Sequence, residues 1–452
     1  MKKVSDMTSG KPLKLIAELA FPLLLAEMGQ QFYMVVDATV IGRGVGVRAL
    51  AAVGSTDWCY WVIMWSVMGI TQAFSVFVSR YFGMRDEDRM CRSAAAAFML
   101  TGAVGAVMTA AGVTLAKPLL TLMHTPEDVI ADASAYLTTL CAGTLASAAY
   151  NMAASVLRAL GNGRAPLAAM ATAAAVNVGL DLLFICVFRM GVFGAALASV
   201  TAQACAFLCC LFSIRRLGVL HIKKEHWKPE ASMCAEMLRF ALPLGLQYAV
   251  ISVGGIVLQS GVNSRGSTFM AGFTAVYKFY GLMECTAVAI GRAFAAYFSQ
   301  NHGAGEYGRI RQGVRLGLAI SAFCAFVIGA IVIPGGRTFL RMFLDMSGPE
   351  GPRALEIGYR FLLVISCSLI IVYPMYVCRA ALEGTGHAFW PMTSGFAECA
   401  ARALSGTVLA AWLGTPALFF AEPLAWASAL AFTALPYIKM QKSMPGRPLK
   451  GK

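Results

Sequence analysis

Two aspartates and an asparagine stand inside apolar stretches of this chain: Asp37, Asn177 and Asp181. A carboxylate at the centre of a membrane-spanning helix costs roughly 2.5–3.5 kcal/mol on insertion scales, so such residues are rare and point to function. Asn177 and Asp181 are four apart, which places them on one face of a helix. Ser199 adds a hydroxyl oxygen from the following apolar stretch. Two carboxylates, an amide oxygen and a hydroxyl are hard ligands suited to Na+, and the carboxylates can also carry a proton. Spacing leaves plainer readings open. Asp37 could cap the end of a span where water is near, and Asp181 could be satisfied by a structural hydrogen bond with Asn177.

Charges also lie inside apolar stretches of the second half: Lys278, Glu284, Arg292, Glu398 and Arg402. Glu398 and Arg402 are four apart and read first as an ion pair within one helix, second as part of a substrate cavity. Lys278 is six residues from Glu284, off the same face, and a Glu284 turned toward a cavity would favour cationic substrates. With Gln31, Tyr150 and Gln247 these residues make up the candidate cavity lining. Pro22 lies fifteen residues before Asp37 in the same apolar stretch. By itself it predicts a kink near the cytoplasmic end of that stretch.

The elements that must position these residues follow from composition. The chain has 452 residues, of which 58% are hydrophobic and 13% charged, with mean hydropathy +0.67. A soluble domain is about 25% charged, so this composition excludes a soluble fold and a disordered one alike. Twelve stretches are long enough to span a bilayer, near 15–36, 49–79, 93–116, 131–156, 165–187, 192–213, 238–262, 269–299, 312–334, 357–380, 389–411 and 415–438. The fold class is an all-α membrane protein of twelve transmembrane helices. No cleavable leader is read before the first span.

The net charge of +14 reads as loop charge, not as a nucleic-acid surface. Assigning Lys and Arg by side puts 25 with the termini and even-numbered loops and 9 with the odd-numbered loops. This places both termini in the cytoplasm of a multi-pass cell-membrane protein. The thirteen cysteines form no C-x-x-C pair and read as packing residues. His124, His221, His226, His302 and His387 all fall in or near loops. An intramembrane enzyme would need a constellation that is not seen here, so a non-enzyme is expected.

The two halves match at an offset of about 220. Ala20-Phe21-Pro22-Leu23 returns as Ala241-Leu242-Pro243-Leu244, and Ala73-Phe74 with Gly83 as Ala293-Phe294 with Gly303. Leu160-Gly161-Asn162-Gly163-Arg164-Ala165-Pro166 returns as Thr385-Gly386-His387-Ala388-Phe389-Trp390-Pro391. Six spans per half predict two like-oriented six-helix bundles, 1–213 and 238–452, joined by a cytoplasmic linker over 214–237. They are expected to be related by a pseudo-two-fold axis along the membrane normal, with a cavity between them. At the matching offsets Asp37 meets Leu258, Asn177 meets Arg402 and Asp181 meets Gly406. The acid pair is therefore confined to the first half.

Several motifs now resemble one family. Val36-Asp37-Ala38-Thr39-Val40-Ile41-Gly42-Arg43 with Ala49-Leu50-Ala51-Ala52-Val53-Gly54 is similar to the first-span signature of multidrug and toxic compound extrusion (MATE) transporters. Val78-Ser79-Arg80-Tyr81-Phe82-Gly83, Leu157-Arg158-Ala159-Leu160-Gly161-Asn162-Gly163 and Asn177-Val178-Gly179-Leu180-Asp181 extend the resemblance. It implies antiport of small organic compounds against Na+ or H+ by alternating access, by a monomer with no cofactor beyond the coupling ion. It also implies a cation site of Asp37, Asn177 and Asp181, with Ser199 where the family often has Thr, and a first span that bends at Pro22. The acids of the seventh and tenth spans that other members use are not found within these spans. The alternative is a lipid-linked oligosaccharide flippase of the same superfamily, disfavoured by the acidic first half.

The orientation is testable by thiol labelling in a Cys-depleted background. Arg215→Cys and Lys442→Cys should be shielded from membrane-impermeant reagents in intact cells, and Gly348→Cys should label. Labelling of the first two would reverse the topology.

Overall fold

A backbone in hydrocarbon must satisfy its own N–H and C=O groups, which a helix does within one segment. Every regular element among the described residues is accordingly helical. The computed structural model describes residues 4–444 apart from 124, 126, 128, 345, 347 and 348, and omits the side chains of 47, 50, 51 and 58. His124, Gly348 and the side chains of Leu50 and Ala51 thus lie outside the described residues.

The helices are α1 (Pro12–Gly44), α2 (Val47–Met84), α3 (Glu87–Leu122), α4 (Ile130–Ala142), α5 (Thr144–Ala159), α6 (Arg164–Asp181) and α7 (Gly191–Leu217). After a short 3-10 turn at Lys224–Trp227 come α8 (Ala231–Asn263), α9 (Ser267–Gly303), α10 (Tyr307–Arg341), α11 (Gly351–Gly384), α12 (Phe389–Leu404), α13 (Ala410–Leu413), α14 (Thr415–Phe419) and α15 (Ala421–Ser443). π-helical segments continue α6 through Leu182–Val187 and α12 through Ser405–Leu409. Taken with their continuations, these helices fall on the twelve expected spans. Seven are long and apolar enough by themselves to cross a membrane, and α4 with α5, bent by 44° at Gly143, makes an eighth.

Two compact units result. The first holds Met1–Ala249 with Ser299–Gly305. Helices in lipid gain no hydrophobic drive from one another, so close backbone approach at small residues carries their packing. A Cβ on Gly143 would stand 2.2 Å from Val200 of α7, and one on Gly112 of α3 would stand 2.8 Å from the Cys141 sulfur. At the end of α1, a Cβ on Gly44 would stand 2.8 Å from Ile185 in the π segment. Ile41, Tyr136, Ile185 and Val192 close an apolar cluster drawn from α1, α4, the π segment and α7. Gly83 and Gly303, which the repeat pairs, lie where α2 crosses the last turns of α9: a Cβ on either would be 2.0 Å from a carbonyl oxygen of the other helix.

The second unit holds Val250–Phe298 and Glu306–Lys452. Its core is aromatic. Phe273 stacks on Phe361 at 4.2 Å, and Phe419 stacks on both Phe269 and Phe361. Buried Tyr373 donates its hydroxyl to the Met283 carbonyl at 2.9 Å, holding α11 to α9.

Three sequence expectations are corrected. α1 runs from Asp37 to Gly44, about two turns farther, so Asp37 lies within the helix and does not cap it. Arg379, counted with the loop charges, is inside α11 and only 4% exposed. The same helix extends to Gly384 and so contains a buried acid, Glu383, although the tenth span was expected to hold none.

Gly143→Ala should overpack the α4–α5 joint against Val200 and cost about 1–3 kcal/mol, read as a lowered Tm in detergent. Gly102→Ala, with open space around the new Cβ, should leave Tm unchanged. Equal Tm values for the two variants would show that the joint tolerates the extra methyl.

Candidate functional site

α1 and α6 meet along most of their length. At one end Gly163 abuts α1: a Cβ there would be 2.9 Å from the Leu19 carbonyl and 3.4 Å from Pro22. Pro22 is buried within an α1 that continues through it. At the other end the pair presents Asp37 from α1 and Asp181 from the last position of α6, and the two carboxyls are within hydrogen-bonding reach of each other. Asn177, one turn before Asp181, donates its amide to the Ser199 hydroxyl of α7 at 3.3 Å. Asn177 and Asp181 are fully buried, Asp37 and Ser199 partly so. The Asp37 Oδ1 oxygen is buried and accepts no hydrogen bond from any of the described residues. All four predicted ligands thus converge at one place.

Phenols surround the acids. The Tyr33 hydroxyl is 3.4 Å from the Ser199 hydroxyl, and Tyr33 stands within electrostatic range of both Asp37 and Asp181. Tyr136 of α4 stands within range of Asp37, Tyr33 and Tyr60. None of Tyr33, Tyr60 and Tyr136 is among the site residues expected from the sequence. Tyr33 was legible as a neighbour, because it precedes Asp37 by one helical turn. Tyr60 and Tyr136 carry no such signal, since their helices are brought in by packing. The backbone turns irregular immediately after Asp181, where the Phe188 N–H reaches back five residues to the Leu183 carbonyl at 2.9 Å. Such π segments recur at functional positions because they displace side chains from the regular helical register.

The remaining candidates lie elsewhere. Gln31 is half-buried in α1, and Gln247 is fully buried in α8. Tyr150 lies beside Arg158 and Cys210. Lys278 is exposed, whereas Glu284 accepts a hydrogen bond from the Tyr376 hydroxyl at 3.0 Å.

In the second unit, Glu398 and Arg402 pair at 3.2 Å as their spacing suggested, but as two links of a longer chain. Arg379 holds the other Glu398 oxygen at 2.5 Å and also donates to Ser394. Arg402 turns its guanidinium edge to Glu422 of α15, with nitrogen–oxygen distances of 2.8–3.1 Å. Tyr277 donates its hydroxyl to the same carboxylate at 2.5 Å. Positive and negative charges alternate along this chain, and its four members are at most 7% exposed. Sequence reading missed Arg379 and Glu422. The second had a signal: it is an acid inside the twelfth apolar stretch.

The MatE family model matches residues 22–183 and 243–408, the two repeats in turn. A probable multidrug resistance protein of Bacillus subtilis (strain 168), YpnP, is 29% identical over 382 residues, 84% of each chain. The probable multidrug resistance protein NorM of Chromobacterium violaceum is 24% identical over 82% of this chain and 80% of its own length. The fold is also that of a MATE transporter solved in a bent conformation, with TM-score 0.88, 19% identity and 98% of each chain covered.

The Arg379–Glu398–Arg402–Glu422 chain predicts a large response to one neutral substitution. Glu398→Gln removes the carboxylate that Arg379 and Arg402 share and should cost about 3–5 kcal/mol, read as a lowered Tm and reduced yield. Normal Tm with loss of cationic substrate affinity would instead make Glu398 a cavity ligand.

Proposed function

The chain belongs to the MatE family of multidrug efflux transporters, and from this we propose that it exports small organic compounds across the cell membrane in exchange for Na+ or H+, by alternating access. The observation that supports ion coupling is the convergence of Asp37, Asp181, Asn177 and Ser199, with a buried Asp37 oxygen that accepts no hydrogen bond from the described residues. Two carboxylates side by side in a poorly solvated place repel each other, and a bound Na+ or an added proton relieves that repulsion.

The coupling ion is cargo, and the work of the chain is to make its presence felt at a distance. Pro22 leaves the Glu18 carbonyl of α1 without its usual intrahelical donor, a soft point in an otherwise regular helix. α6 touches α1 at that soft point through Gly163 and carries Asn177 and Asp181 at its far end. Neutralising the acids changes how α1 and α6 attract one another, and the bend at Pro22 is where the difference is absorbed. An ion that binds one bend better than the other shifts the population between them. The relatives' names favour drug export over lipid-linked oligosaccharide flipping. A monomer with both termini in the cytoplasm completes the proposal.

Asp37→Asn and Asp181→Asn should each reach the membrane at normal levels, since each removes a buried charge. Each should lose substrate efflux driven by an imposed Na+ or pH gradient in proteoliposomes. The double variant should be little worse than either single one, because groups acting as a unit are not additive. Wild-type gradient-driven transport by either single variant would remove the acids from the coupling role.

A further inference from the structure

The two halves use the same helix pairs in the same register, and contacts within each unit establish this independently of sequence similarity. Where Asp37 and Asp181 approach in the first half, the repeat places Leu258 and Gly406 in the second. These two do touch: a Cβ on Gly406 would be 3.1 Å from the Leu258 Cα. Where Gly44 abuts Ile185, the repeat places Arg265 and Ala410, and Arg265 donates to the Ala410 carbonyl at 2.5 Å. A π segment follows Asp181 in one half and begins just after Arg402 in the other, and each half then turns on a positive-φ glycine, Gly191 or Gly414.

That glycine pair fixes the register of the next helices and aligns Ser199 with Glu422. The Asn177–Ser199 hydrogen bond at 3.3 Å therefore has Arg402–Glu422 at 2.8 Å as its counterpart. One turn earlier, Ala173 is replaced by Glu398. The first half presents acids with neutral neighbours Tyr33, Asn177 and Ser199. The second half deletes both acids at the equivalent positions, adds two others close by, and sets a guanidinium between them. Neither half can leave net negative charge buried without a compensating cation. In the second half the cations are covalently part of the chain: Arg402 lies between Glu398 and Glu422, and Arg379 holds the other Glu398 oxygen.

Building on the proposed coupling role of Asp37 and Asp181, we propose that Arg402 is a tethered cation. Its guanidinium fills, between Glu398 and Glu422, the place in the second half that an exchangeable ion takes in the first. The second half then carries its positive charge permanently and exchanges none, so ion exchange is confined to the first half. Truncating Arg402 should open a site for small planar monovalent cations, with guanidinium preferred over Na+ because a planar fork of donors matches two carboxylates.

The test is chemical rescue of purified full-length protein, followed by Tm in detergent. Arg402→Ala should melt below wild type, and methylguanidinium chloride at non-denaturing concentration should restore its Tm saturably by a few degrees. NaCl and choline chloride at equal ionic strength should not. Wild type should show no shift, and Arg402→Ala/Glu422→Gln should lose the rescue. If Arg402→Ala accumulates only when methylguanidinium is present during purification, that also supports the proposal. No rescue of Arg402→Ala, the same shift in wild type, or no recovery with or without methylguanidinium while Arg402→Gln/Glu422→Gln folds, would overturn it. The rescue reads the second half alone. A failed rescue with Asp181→Asn still uncoupled therefore defeats the tethered cation, and an intact rescue with Asp181→Asn fully active defeats the coupling reading.

Discussion

A charged group in a poorly hydrated helix bundle must find an opposite charge within a few ångströms, and much of this molecule is organised by that requirement. In the second unit it is met by chain-borne partners: Arg379, Glu398, Arg402 and Glu422 alternate in sign across α11, α12 and α15. The Arg379–Glu398 and Arg402–Glu422 links join helices that have little hydrophobic reason to prefer one another in lipid, and the Glu398–Arg402 link within α12 connects the two. The chain of charges therefore sets register as well as electrostatics. In the first unit Asp37 and Asp181 stand beside each other among the neutral groups of Tyr33, Asn177 and Ser199.

The small residues follow from the same problem. A site of four side chains from α1, α6 and α7 holds together only if those helices approach closely, and close approach in lipid needs residues without bulk. Gly44 against Ile185 and Gly163 against Leu19 and Pro22 clamp α1 to α6 near both ends. Gly143 lets α4 and α5 bend around Val200 of α7, the residue next to Ser199. The bend also brings Tyr136 of α4 toward the acids.

The repeat shows how one scaffold is put to two uses. Crossing points survive between the halves, as Gly44–Ile185 and Arg265–Ala410 illustrate, because they are fixed by backbone geometry. The polar residues hung on that scaffold diverge freely, because a charge can be exchanged for its complement as long as the local sum remains satisfied. The second half keeps the place where the acids would meet and packs it shut with Leu258 and Gly406.

The sequence alone determined the helical class, the twelve spans and the internal repeat. Hydropathy and spacing are local properties, and a bilayer leaves the backbone few other solutions. It also singled out Asp37, Asn177, Asp181 and Ser199, since buried acids stand out against an apolar background and an i, i+4 pair shares a face. Tertiary structure decided what these residues touch. The Asp37–Asp181 contact joins positions 144 residues apart, and Tyr60 and Tyr136 arrive on helices whose own sequences say nothing of the site. Helix ends decided the rest. Arg379 and Glu383 look like loop residues until α11 is seen to continue to Gly384, and Asp37 looks like a cap until α1 is seen to run on to Gly44. Hydropathy cannot place such ends, because a helix whose charges are paired by its neighbours can continue past the point where its own composition turns polar.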